Sequence, residues 1–142
     1  MKKNIKLFFI VLPVFCFIVP GNLFSQEELD VSDSTSIRLE NAAMCEAIES
    51  FKPKNSGVVF SVNIGKVLCF TFFNNVQQET VVFHNWFRRD QLITKRKLTL
   101  KPPEWSSFSG IELREADVGP WHVNITNENG TTLKTLRFSI TE

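Results

Sequence analysis

From Val58 onward the apolar residues recur at every second position, the spacing of pleated strands and not of helices. The runs "GVVFSVNI" (57–64) and "KVLCFTFF" (66–73) are rich in β-branched and aromatic residues, and Gly65 between them predicts a tight hairpin. Next come "ETVVFHNWF" (79–87) and "LITKRKLTL" (92–100), flanking the four-residue polar connection "RRDQ". Pro102 and Pro103 end the latter strand, since proline has no N–H for the ladder. "SFSGIELRE" is a weaker strand. In "VGPWHVNITNENGTTLKTLRFSI", Trp121, Val123 and Ile125 share one face, while His122, Asn124 and Thr126 share the other. Leu136, Phe138 and Ile140 repeat the alternation on the returning strand, and Asn129-Gly130 supplies the turn.

One stretch resists this reading. "AAMCEAIESF" (42–51) has the composition of a helix, but its place before a strand series and close to Pro53 favours an edge strand. Strands with one apolar and one polar face are those of antiparallel sheets packed face to face. The expected fold is therefore all-β: an antiparallel, immunoglobulin-like β-sandwich of seven or eight strands.

The N-terminal residues follow a different rule. Lys2, Lys3 and Lys6 precede a 14-residue apolar run, Leu7 to Pro20, and the small Ser25 follows. That order describes a secretory signal peptide over 1–25, with an uncleaved anchor as the alternative. The run falls short of the roughly 20 apolar residues of a membrane span, so no span is expected after cleavage. "QEELDVSDSTSIRL" (26–39) carries four acids and few apolar residues, the composition of a flexible acidic linker. The β-sandwich domain is then 40–142, and nine phenylalanines and three tryptophans after residue 25 are ample for one core.

Charge narrows the partners. Three of 16 basic residues and none of the 15 acids lie in the signal, so the mature chain is close to neutral. Nothing points to nucleic acid. Yet Arg88, Arg89, Lys95, Arg96, Lys97 and Lys101 cluster around a single acid, Asp90. Lys95, Lys97 and Lys101 share one side of their strand: either a solvated face that guards an edge, or an anion-binding surface for an anionic glycan or an envelope protein.

Several elements in order carry a family resemblance: "AAMCEAI", "VLCFTF", "HNW", "VGPWHV" and "NGTTLKTLRFSI". This set resembles an uncharacterised bacterial family, domain of unknown function 2914. The matching positions are Cys45, Cys69-Phe70, His84/Trp86 and Gly119/Trp121/Val123, over about Ala42 to Thr141. His122 departs from the basic residue expected there, and "WSSFSG" is a loose version of a serine-containing strand. The resemblance implies an exported bacterial β domain and no activity, ligand or cofactor.

Three site readings remain. His84 and Trp86 share parity with Val82 on a strand whose two faces are both mostly apolar. They are either core residues or an aromatic platform with a polar handle for a sugar ring or peptide. Cys45 and Cys69 are either an exported disulfide or two buried thiols. Adding His84 makes a zinc or copper site the alternative function, although no pair has the short ligand spacing such sites favour. No phosphate loop, G-x-S-x-G or H-E-x-x-H occurs, so no catalytic residue and no cofactor is expected. The sequence reads as a non-catalytic binding or structural module of the cell envelope.

Overall fold

The structure is a computed structural model that describes residues 36–142. The expected signal peptide and the expected linker up to residue 35 lie outside the described residues. Nine strands form among the described residues: β1 (Arg38–Glu49), β2 (Lys52–Ser56), β3 (Val59–Ser61), β4 (Lys66–Asn74), β5 (Thr80–Arg88), β6 (Gln91–Leu100), β7 (Trp105–Glu112), β8 (Gly119–Asn127) and β9 (Thr132–Thr141). They make two sheets, ordered β2-β1-β4-β7 and β3-β9-β8-β5-β6. Every pairing is antiparallel except that of β3 with β9. No helix among the described residues is long and apolar enough to cross a membrane.

The ambiguous segment "AAMCEAIESF" is strand through Glu49 and then a two-residue turn, Ser50-Phe51. Its first strand begins at Arg38, two residues before the expected start of the domain. The expected hairpin about Gly65 is a correction. β3 pairs with β9 in one sheet and β4 with β1 and β7 in the other, so the chain changes sheets between them. A 3₁₀ turn, Val62–Ile64, makes the crossing, capped by Ser61 Oγ accepting from Asn63 N–H at 3.1 Å and ended by Gly65 at φ +78°. Left-handed glycine serves both kinds of turn, which is why local sequence could not separate them. The "RRDQ" connection is shorter than expected. Arg88 pairs with Gln91, leaving Arg89 and Asp90 at φ +45° and +65° as a two-residue turn.

The core lies between the sheets. Phe138 of β9 is its hub: Trp86 and Phe60 meet it edge-on, and Trp121 stacks on it at 6.2 Å between ring centroids. Two features match immunoglobulin-like domains. Trp86 is fully buried in the middle of β5. At the start of β8, Trp121 Nε1–H donates to Asp117 O at 2.7 Å, the role a tyrosine hydroxyl plays at the corresponding corner. The inter-sheet disulfide of antibody domains has no counterpart. Val123, two residues after Trp121, is buried where the second cysteine would stand.

The outer faces of the two sheets differ. On the first, Cys45, Leu68 and Phe70 are buried in a second apolar cluster with Ile48 and Phe72. The tip of the β1–β2 hairpin borders Phe70 and Phe72 around a groove of about 450 Å³. Gly110 of β7 faces Leu68 across the ladder, and a Cβ there would collide with Leu68 Cδ2. On the second sheet the outer face is polar and open.

Candidate functional site

The outer face of the second sheet is built by alternation on β5, β6, β8 and β9. Val82, His84 and Trp86 turn inward, so Phe83, Asn85 and Phe87 turn outward. The ladder places Lys97 beside Phe83 and Lys95 beside Asn85 on β6, and Thr126, Asn124 and His122 on β8. Thr135 and Arg137 continue the rows on β9. Asn85 Nδ2 donates to Thr126 Oγ1 at 3.0 Å and to Asn124 O at 3.1 Å, and Thr135 Oγ1 donates to Asn124 Oδ1 at 2.8 Å. These bonds hold a flat polar strip. Aromatic rings flank it: the His122 imidazole stacks on Phe87 at 4.7 Å and 6°. Lys95 Nζ lies 4.1 Å from the Phe83 ring centroid, a contact worth about 0.5–1 kcal/mol at an exposed site.

The charge on this sheet has one sign. Strands β5, β6, β8 and β9 contain Arg88, Lys95, Arg96, Lys97, Lys134 and Arg137 and not one Asp or Glu. β3, "VFS", adds no charge. An acid does border the strip, Asp90 in the β5–β6 turn, whose Oδ1 is 3.9 Å from His122 Nδ1.

Lys95, Lys97 and Lys101 are all exposed, but they do not share one patch. Lys95 and Lys97 stand on the outer face. Lys101 follows the end of β6 and lies over Trp105 at the start of β7, 5.9 Å from its ring centroid, in reach of the other sheet. The sequence-predicted triad is therefore a pair plus an outlier. Arg137, Phe87, His122, Asn85 and Asn124 join the pair, and the outward parity of "HVN" (122–124) was the one local sign of them.

His84 and Trp86 are not a platform for a surface ligand, because both are fully buried. They belong to a polar seam that joins the sheets. Trp86 Nε1–H donates to Ser109 Oγ at 3.0 Å, and Ser109 Oγ is 2.8 Å from His84 Nδ1. His84 Nε2 is 3.3 Å from Thr71 Oγ1, which donates to Ser107 O at 3.3 Å. One direction satisfies every group: Ser109 O–H donates to Nδ1, so the Nε2 atom carries the imidazole proton and donates to Thr71. Burial pushes the His84 pKa down to about 4, so the neutral ring is the stable form above that pH.

The same register decides between the two cysteine readings: the Cys45–Cys69 disulfide is corrected, and two buried thiols are what the fold holds. Met44 lies opposite Cys69 and faces the core with it, so Cys45, one residue on, turns to the outer cluster. The two thiols point to opposite faces of one sheet and are free. Burial pushes both up from their ordinary value, which disfavours the thiolate; backbone hydrogen bonds offset part of this at Cys45. With both His84 nitrogens engaged by hydroxyls, Cys45, Cys69 and His84 do not converge on a metal. No group of three or more His, Cys, Asp or Glu among the described residues is arranged to hold one.

Fold, buried tryptophan and corner bond define the class: an immunoglobulin-like β-sandwich whose second sheet has an open, basic outer face. Residues 79–140, from the residue before β5 into β9, match the family described as "Protein of unknown function (DUF2914)", the family that the His84/Trp86 and Gly119/Trp121/Val123 elements resemble. Cys45 and Cys69-Phe70 precede the matched segment. No curated protein matches the chain.

Proposed function

We propose that this protein is an exported, non-catalytic binding module of the cell envelope that holds an anionic glycan on the outer face of its second sheet. The observation that carries the reading is an outer face that presents Lys95, Lys97 and Arg137, on a sheet whose strands contain no acid. A sugar ring packs against the stacked pair Phe87 and His122, Asn85 Oδ1 and Asn124 Nδ2 serve its hydroxyls, and Lys95, Lys97 and Arg137 meet its carboxylates or sulfates. The basic and apolar leader supports export.

The test is retention on immobilised polygalacturonate against neutral dextran. The wild-type chain is expected to bind the acidic matrix at low salt and to elute as salt rises, because exposed charge is screened within about 8 Å at 0.15 M. A Lys95→Glu/Lys97→Glu variant is expected to pass through unretained. Equal retention of the variant, or equal affinity for dextran, would refute the reading.

A further inference from the structure

The first sheet buries only part of its outer side, and what stays open is the groove beside its own hairpin. β1 pairs with β4 as far as Cys45 and with β2 from Cys45 to Glu49. A straight strand would carry Phe51 roughly 30 Å from Asn41, at about 3.3 Å per residue. Both nevertheless border one groove of about 450 Å³, within the usual range for small-molecule sites. The hairpin therefore arches back over the outer face. β4 supplies Phe70 and Phe72 to the groove, and the hairpin supplies Phe51 and Pro53.

The turn at the hairpin tip is costly for folding. Ser50 and Phe51 stand at φ +49° and +60°, a left-handed pair that Asn-Gly fills best in a two-residue turn. A bulky residue at positive φ is strained, and this one leaves its ring 80% exposed. A lone surface aromatic needs no explanation, but Phe51 is not alone. It borders the same groove as Phe72, and Phe108, opposite Phe70 in the ladder, is exposed as well.

Charge at the groove is one-sided. Among the described residues, Lys52 is the only charged one that lines it. Glu49 lies across the ladder from Lys52, yet its Oε1 is taken by Lys54 Nζ at 2.7 Å. Lys52 itself makes no ion pair among the described residues.

We infer that this groove binds a single fatty acyl chain with an anionic head. The hydrocarbon packs between the hairpin tip and Phe70 and Phe72, and the carboxylate meets the ammonium of Lys52. The apolar side chains call for a hydrocarbon, and the uncompensated cation calls for a negative head. A neutral amphiphile satisfies only the first demand.

Calorimetric titration of the full chain with dodecanoate, kept below its micelle concentration, tests this against dodecanol. Saturable binding of dodecanoate is expected, with dodecanol held about tenfold more weakly. Lys52→Gln is expected to erase that difference. Phe51→Gly is expected to keep or raise the thermal midpoint, because glycine fits the turn, while weakening both ligands about tenfold. No saturable binding of dodecanoate, equal binding of dodecanol by the wild type, or a Phe51→Gly variant that binds as the wild type does would overturn the inference. So would sedimentation with phosphatidylglycerol vesicles in a protein that ignores monomeric dodecanoate, which would make the patch a membrane contact. Polygalacturonate is expected not to compete, since its face belongs to the other sheet, so failure here leaves the glycan reading standing.

Discussion

The two sheets share one core but solve the problem of their outer faces in opposite ways. The first contains four cations and four acids in its strands, Arg38, Lys52, Lys54 and Lys66 against Glu40, Glu46, Glu49 and Glu112. It buries Cys45, Leu68 and Phe70 on the outside, at the cluster beside its own hairpin. The second has six cations and no acids, and its outer residues other than Thr126 are half-buried or exposed. A sheet that neutralises itself and buries part of its outer side is spending sequence on stability, although Phe108 opposite Phe70 stays exposed. A sheet that keeps one sign of charge on an open polar strip gives up some of that, since like charges repel. Surface asymmetry of this kind, more than the fold, suggests where a partner sits.

The largest test of the comparison is inside the core that both sheets share. Trp86→Ala removes a fully buried indole and leaves Ser109 without its donor, so a loss of about 3–5 kcal/mol in urea unfolding is expected. A loss under 1 kcal/mol would mean that the polar seam does not join the sheets.

Acid should open the same seam. With the folded pKa of His84 near 4 and its ordinary value 6.5, the unfolded chain binds the extra proton between those two pH values. Stability is thus fully present above about pH 6.5 and falls as pH drops toward 4, by roughly 3 kcal/mol over the window. Unfolding curves across that range should show the slope, and His84→Gln should lack it.

The outer faces can be compared directly with one residue from each. Phe70→Ala on the first sheet should cost about 3 kcal/mol, and Phe83→Ala on the second about 1 kcal/mol, since only Phe70 is buried. Equal costs would erase the distinction. The smallest effect belongs to Lys95→Glu/Lys97→Glu, expected to move stability by less than about 1 kcal/mol, the scale of the lost Lys95–Phe83 contact, while it removes glycan retention.

Much of this arrangement was legible in the chain, and the gaps have physical causes. Alternation in "WHVNI" and "LRFSI" identified β8 and β9 and their buried faces, because one face of each is plainly polar. β5 has apolar residues on both faces, so parity could not tell whether His84 lies in the core or on a surface. The decision rests with Thr71, Ser107 and Ser109, contributed by strands that only the fold brings near. The disulfide reading failed for a related reason. The pair count was right for an exported protein, but the face that each cysteine takes depends on the β1–β4 register, in which Met44 and not Cys45 lies opposite Cys69. The lysine pair was readable from spacing; the displacement of Lys101 toward Trp105 was not, because it follows the end of β6.

The most direct measurement is a backbone amide NMR titration of the protein with oligogalacturonate. Shift changes are expected on Phe83, Asn85 and Phe87, on Lys95 and Lys97, on His122 and Asn124, and on Thr135 and Arg137, with β1, β2 and β4 silent. Changes centred on the β1–β2 hairpin, or none at saturating ligand, would contradict the assignment of the binding face to the second sheet.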